Sequence, residues 1–285
     1  MRRLRPRRLA LHAILLSLAL VWLVPIIWTL YTSLRPRSET AEIGYLSLPH
    51  ELTLDNFGRA AAAMALPATL AKTALIVVPA VVLTLILATF AGFAIARFSW
   101  RLNFAALVML TAANLLPQQI LIAPLFRIYL ALPLPAPLSD NGTFYDQAIG
   151  IIVIHVAMQL GFCTFVLSNF MRTLPRDVTE SAVLDGASVL QQLRRVIVPM
   201  SRAPLAALAT LEIGWLYNDF FWALFLMRTG DKRPITSALN GLQGEFFRDG
   251  NLLAAAGILV ALPPLIAHFG FQQSLLRSPV GPAGN

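Results

Sequence analysis

The chain has 285 residues, of which 57% are hydrophobic and 13% charged, where a soluble domain carries about 25% charged residues. Folded in water, such a chain would expose far too much apolar surface, so a soluble globular protein is excluded. The formal net charge of +8 is spread among short segments between apolar runs, and it reads as a membrane orientation signal, not as a nucleic acid binding face.

In chain order, residues 1–8, MRRLRPRR, form a basic N-terminus like the start of a secretory signal. A cleaved signal has an apolar region of about 7–15 residues and a small-residue cleavage site. The run Leu9–Leu34 is 26 residues long without such a site, so it is expected to stay as a signal anchor. Thr73–Ala96, Leu102–Phe126, Gln147–Met171 and Leu252–Leu276 also lack Asp, Glu, Lys and Arg, over spans longer than the ~20 residues that cross a bilayer. Ala203–Met227 is equally apolar apart from Glu212 and Asp219. The expected fold is an all-α integral membrane protein with six transmembrane helices within residues 9–276, followed by a tail of residues 277–285.

Loop arginines and lysines orient the chain. With the N-terminus inside, the inner face receives the five N-terminal arginines, Arg97 and Arg101, five arginines between Arg172 and Arg202, and Arg277, thirteen of the 22 basic residues. Acidic residues are sparse there (Asp177, Glu180 and Asp185). Both termini are therefore expected in the cytoplasm. The single cysteine, Cys163, lies in the fourth span and reads as a packing residue.

The inner segment 172–202 holds a charged stretch, TESAVLDGASVLQQLRRVIVP, from Thr179 to Pro199. Pro175 suits a helix start, and Asp177 and Glu180 follow near the positive end of its dipole. Gly186 after Asp185 offers a left-handed stop, and Ser188 with Gln191 makes an S-x-x-Q capping box for a second helix. Arg194 and Arg195 suit the end of that helix, and Pro199 is expected to limit it. On the first helix Glu180 shares a face with Val183, Leu184 and Ala187, an apolar knob carrying one carboxylate. An interfacial helix would favour Lys and Arg on its polar face, so a protein partner is the better reading.

This stretch resembles the coupling-loop signature of binding-protein-dependent ABC importer permeases, EAA---DGA---------I-LP. Glu180, Ala182, Asp185, Gly186, Ala187, Ile197 and Pro199 match at the family spacing, while Ser181 and Val198 replace an alanine and a leucine. TSLRPRSE, LTLDNF, AGFAIARFSWRLN, LPQQILIAPLF and LYNDFFWALFLM are similar to the carbohydrate-uptake branch, and in particular to the maltose-type second permease, the MalG-like class. Lys72, where that class has an asparagine, and the tail QQSLLRSPVGPAGN depart from it.

The resemblance implies a coupling helix that fits a cleft on a separate ATPase, using Glu180, Ala182, Val183, Leu184, Asp185, Gly186, Ala187 and Pro199. It also implies a second homologous permease subunit, two ATP-binding subunits and an extracytoplasmic solute-binding protein, in a bacterial inner membrane and surrounded by its lipid. ATP and Mg are expected on the partner ATPase, and no cofactor on this chain, whose sequence contains no GxxxxGK(S/T) phosphate loop.

Polar groups within the spans are the candidates for a sugar pathway. Intramembrane ionisable groups usually face a protein interior or water. Glu212 and Asp219, seven apart, would share a helix face, with Asn218 on an adjoining one. Trp215 and Trp222 offer rings against which a sugar face could stack. The first reading of both acids is that they bond neighbouring helices and hold the bundle together, with direct sugar binding second. In the third span Pro117 and the pair Gln118 and Gln119 interrupt the apolar run, as in the broken helices of transporters, and a simple proline kink is the competing reading. Gln159 and His155 are weaker candidates, for which a satisfied buried side chain is the preferred reading.

Enzymatic function finds little support. The four histidines are scattered, no HExxH or paired cysteines occur, and no metal site is expected. The alternative of another class is a stand-alone, ion-coupled carrier using Glu212 and Asp219 as proton sites, which would leave the charged inner stretch without a purpose.

Overall fold

The computed structural model describes residues 6–98, 101, 103–112, 114, 116–242 and 249–276, apart from the side chains of residues 6, 7, 9 and 271–276. Most of the basic N-terminus (residues 1–5) and the whole tail of residues 277–285 lie outside the described residues.

All regular structure among the described residues is helical, with one isolated antiparallel bridge between Pro133 and Thr143. The helices are α1 (Pro6–Ser33), α2 (Arg37–Ile43), α3 (Asp55–Ala63), α4 (Leu66–Arg97), α5 (Asn103–Ala112), α6 (Gln118–Ala131) and α7 (Ala148–Thr173). They continue with α8 (Arg176–Leu184), α9 (Val189–Gln192), α10 (Val198–Met200), α11 (Arg202–Tyr217), α12 (Phe221–Leu226), α13 (Ile235–Gly241) and α14 (Gly250–Leu276). In a bilayer a backbone must satisfy its own hydrogen bonds, and a helix does so within one segment.

Four described helices are long and apolar enough to cross a membrane: Ala10–Ser33 of α1, α4, α7 and Gly250–Gly270 of α14. A bent pair, Val189–Met200 with Arg202–Tyr217, gives up to a fifth. The other expected spans are broken. Leu102–Phe126 divides into α5 and α6 at Pro117, whose missing N–H and whose constraint on Leu116 favour a break there. Ala203–Met227 divides into α11 and α12 around Asn218, Asp219 and Phe220. Neither break removes an apolar segment. Each creates helix ends inside it.

The chain forms two compact units. The first takes the residues up to Pro67 and Leu239–Leu262, and a buried polar knot ties it together. The Arg35 guanidinium, fully buried, donates to Glu39 Oε1 at 2.6 Å and to the carbonyls of Gly44 and Tyr45, each at 3.2 Å. The last carbonyls of a helix lack partners within it. Here the Asn56 amide donates to Ser33 and Arg35, and the Asn251 amide to Thr32 and Arg35, which closes the end of α1.

The second unit takes Ala68–Ala238 and the chain from Pro263. Its core joins α4, α7, the 193–197 turn and α11 through Ala88, Phe93, Cys163, Leu167, Ile197 and Leu208, among others. Lipid is as apolar as these side chains, so close packing must hold such helices together. Gly161 shows it: a Cβ there would lie 1.8 Å from the Leu110 carbonyl oxygen, so a side chain would push α5 off α7.

Candidate functional site

The first candidate region is the bent pair between α7 and α11. Pro175 precedes α8, where it blocks no helical hydrogen bond. At the other end Gly186 N–H donates to the Val183 carbonyl and Ala187 N–H to the Ala182 carbonyl, each at 2.9 Å. These are the two bonds of a Schellman stop, with Gly186 in the left-handed region at φ +78°. Ser188 then starts α9 with both halves of the capping box: its N–H donates to Gln191 Oε1 at 2.8 Å, and its Oγ accepts from Gln191 N–H.

Pro199 is expected to limit the second helix, and the helical path that begins with α9 ends one residue beyond it, at Met200. After α9 the chain widens into a π-helical turn, Leu193–Ile197, and continues through α10. A proline ring clashes with the carbonyl four residues earlier in a regular helix, and a widened turn just before it relieves that clash. The path then bends by 76° at Ser201 into α11. Leu193 and Ile197 are buried in the core, so the knob is anchored by its second half.

The exposed surface is apolar. Leu184 is 89% exposed, Leu190 60%, Val183 56% and Val189 51%, and the Glu180 carboxylate stands beside them. Asp185 is exposed, and Ala182, Ala187 and Pro199 are half-buried. Val189 and Leu190 escape a reading of the first helix alone. Their signal was present: two apolar residues directly after a cap, before any packing partner.

The second region is a cavity of about 550 Å³ where α7, α11 and α12 meet. Gln118, Gln159, Trp215, Asn218, Asp219 and Trp222 all line it, joined by Asn114 and His155. Gln119 is exposed and does not line this cavity, nor does Glu212.

Asp219 occupies the break between α11 and α12. Its Oδ2 is 3.6 Å from His155 Nε2, and its Oδ1 faces the Trp222 N–H at 3.5 Å, near the positive start of α12. The Thr236 hydroxyl donates to its carbonyl at 2.6 Å. Asn218 is exposed, and its amide donates to the Gly214 carbonyl at 2.8 Å. Trp215 is half exposed and packs against Phe162 with centroids 5.3 Å apart and ring planes tilted by 59°, whereas Trp222 is buried.

Glu212 sits elsewhere. It is fully buried and accepts a hydrogen bond from Cys163 Sγ at 3.2 Å, within the packing of α7 on α11. The seven-residue spacing would align it with Asp219 only on an unbroken helix, and α11 ends at Tyr217. Chemically, the cavity offers carboxamides and one carboxylate for hydroxyl groups, and an indole face for a flat apolar surface. Among the described residues no group of three His, Cys, Asp or Glu side chains could hold a metal ion.

Comparison with known proteins extends these observations. Residues 77–278 match the family model described as binding-protein-dependent transport system inner membrane component. The chain is 31% identical over 280 residues to a probable ABC transporter permease protein of Pyrococcus horikoshii, covering 96% of this chain and 97% of that one. It is 27% identical to the diacetylchitobiose uptake system permease protein of Streptomyces coelicolor, covering 94% and 85%. Its fold is similar to a chain in the crystal structure of a bacterial ABC transporter involved in the import of the acidic polysaccharide alginate. That match has a TM-score of 0.77 at 21% identity, over 96% of this chain and 98% of the other.

Proposed function

The chain belongs to the family of binding-protein-dependent transport system inner membrane components, and on that footing we propose that it is a permease subunit of an ATP-driven importer of a sugar or oligosaccharide. The observation that carries this reading is the exposed, Schellman-stopped knob in a chain with no phosphate loop of its own. A surface of Val183, Leu184, Val189 and Leu190 beside Glu180 is costly to leave in water, and it fits a groove on a separate ATPase, where ATP and Mg would be held.

From the knob, helical structure runs through α9, the π turn and α10, bends, and ends as α11 at the cavity. Movement of the knob as two ATP-binding subunits close would therefore reach Asn218 and Asp219. The reading includes six crossings formed by α1, α4, α5 with α6, α7, α11 with α12, and α14. Both termini would be cytoplasmic in a bacterial inner membrane. A second homologous permease would complete the pathway, and an extracytoplasmic solute-binding protein would deliver the sugar. The uptake named for the Streptomyces relative and the amide, carboxylate and indole chemistry of the cavity support a sugar as cargo.

The test is uptake by vesicles holding the full set of subunits, with Asn218→Ala or Asp219→Ala in this chain. Altered uptake or sugar preference in an intact assembly is expected. Loss of the complex from the membrane before any change in transport would instead assign both residues to packing; for Asp219, leaving the buried His155 without its partner costs about 1–3 kcal/mol.

A further inference from the structure

A second cavity, about 630 Å³ in volume, opens where the ends of α4 and α7 meet the start of α8, and three arginines line it. Arg97 is the last residue of α4, Arg172 lies in the last turn of α7, and Arg176 is the first residue of α8. Against these cations the lining sets one carboxylate, Glu180, and no ion pair joins it to any of them among the described residues.

A general bias of arginines towards one membrane face would leave the three side chains pointing into water. Arg97 does not fit that pattern. It is half-buried, its one hydrogen bond among the described residues is a long one of 3.4 Å from Nη2 to the Leu174 carbonyl, and its Nε is buried without a hydrogen-bond partner among them. Arg176 is close enough to repel it. The floor of the recess is apolar, with Phe93 and Ile95 both buried. A basic rim over an apolar floor fits an amphipathic anion.

We propose that this recess holds the phosphate-bearing headgroup of an anionic phospholipid. α4 and α7 are both long enough to cross the bilayer, so their last residues fall at headgroup depth. Guanidinium groups match phosphate oxygens in pairs, and basic pockets between helices at the membrane surface recognise such headgroups. A phosphate there neutralises the Arg97–Arg176 repulsion and supplies the missing acceptor for Arg97 Nε. It also braces the first turn of α8, which carries the knob. The inference goes beyond the transport reading and needs only that α4 and α7 cross a membrane.

The experiment is lipid retention by the full chain, extracted with its co-expressed partners and read by native mass spectrometry after exchange into detergent. Phosphatidylglycerol is expected to stay bound where phosphatidylcholine is lost. Arg97→Gln combined with Arg172→Gln and Arg176→Gln should weaken retention about tenfold or more, the scale of one or two lost charge-assisted contacts. Arg194→Gln with Arg195→Gln, exposed on the π turn and outside the recess, should retain lipid as before. If the triple change prevents insertion, Arg97→Gln alone carries the test, because it leaves two of the three charges in place. Unchanged retention in the recess variants would overturn the proposal, and so would equal loss in the Arg194 and Arg195 variant. Displacement of the lipid by inorganic phosphate alone would assign the recess to a soluble anion. Loss of a co-purifying ATPase with lipid retention intact would make the recess a protein contact and refute the lipid.

Discussion

Gly186 turns the chain between α8 and α9 at φ +78°, and nothing lies within 4 Å of where a Cβ would be. A substitution there meets no collision, only the backbone cost, about 1–2 kcal/mol for an L-residue in the left-handed region. Gly186→Asn, whose side chain tolerates that region, should leave the knob working. Gly186→Val should disturb it and reduce ATPase recruitment. Equal recruitment by both variants in a co-purification assay would remove the bend from the mechanism. Asp146 makes a second residue-scale case. Burial alone would raise its pKa, but bonds from the Thr229 hydroxyl and from the Thr229 and Arg228 amides hold it below the ordinary carboxylate value. The folded group is thus the stronger acid. The stability it contributes is complete above the unfolded value of about 3.9 and is lost as pH falls through the folded one. Protection of the Arg228 and Thr229 amides against hydrogen exchange, taken relative to the intrinsic rate at each pH, should fall as pH drops through the lowered Asp146 pKa and should be low and flat over that range in Asp146→Ala. Protection that stays constant across that range in the native chain would contradict the assignment. Glu212 marks the limit of reading residues by spacing. Periodicity paired it with Asp219, whereas tertiary packing gave it Cys163.

At the scale of elements, local chemistry was legible where the sequence carries it locally. Gly186, Ser188 and Gln191 announce a stop and a start, and the structure has both. The π turn before Pro199 was only partly visible: the proline ring favours a widened turn, but the anchoring of Leu193 and Ile197 in a distant core is encoded by no nearby residue. The breaks in the third and fifth spans were only partly visible. Pro117 signals one, but no proline or glycine marks the break at Asn218 to Phe220, which rests on distant partners such as Thr236. For the knob as an element, Leu184→Asp changes a side chain that is 89% exposed, so folding should shift by less than about 0.5 kcal/mol. Recruitment of the ATPase should nevertheless fall, and Glu180→Lys should lower it by charge reversal while the permease pair still assembles. Full recruitment and full uptake in both variants would reduce the stretch to a linker.

At the scale of the molecule, two facts meet: a multi-pass helical fold of an ABC permease family, and a sequence without a phosphate-binding loop. The class was legible from composition, since 13% charge leaves no soluble alternative, and the family from the spacing of the inner stretch. The polar knot around Arg35 was not legible. Its members, Arg35, Asn56 and Asn251, are far apart in sequence and look individually like ordinary loop residues. The central claim is that this chain forms a path but does not drive it. The most direct measurement is radiolabelled sugar uptake by sealed vesicles containing this chain alone, compared with vesicles containing it together with the second permease, the ATPase and the binding protein. The account predicts ATP-dependent accumulation in the complete set, and neither uptake nor ATP hydrolysis by the chain alone. Uptake by the chain alone, driven by an ion gradient, would contradict it and point to a carrier.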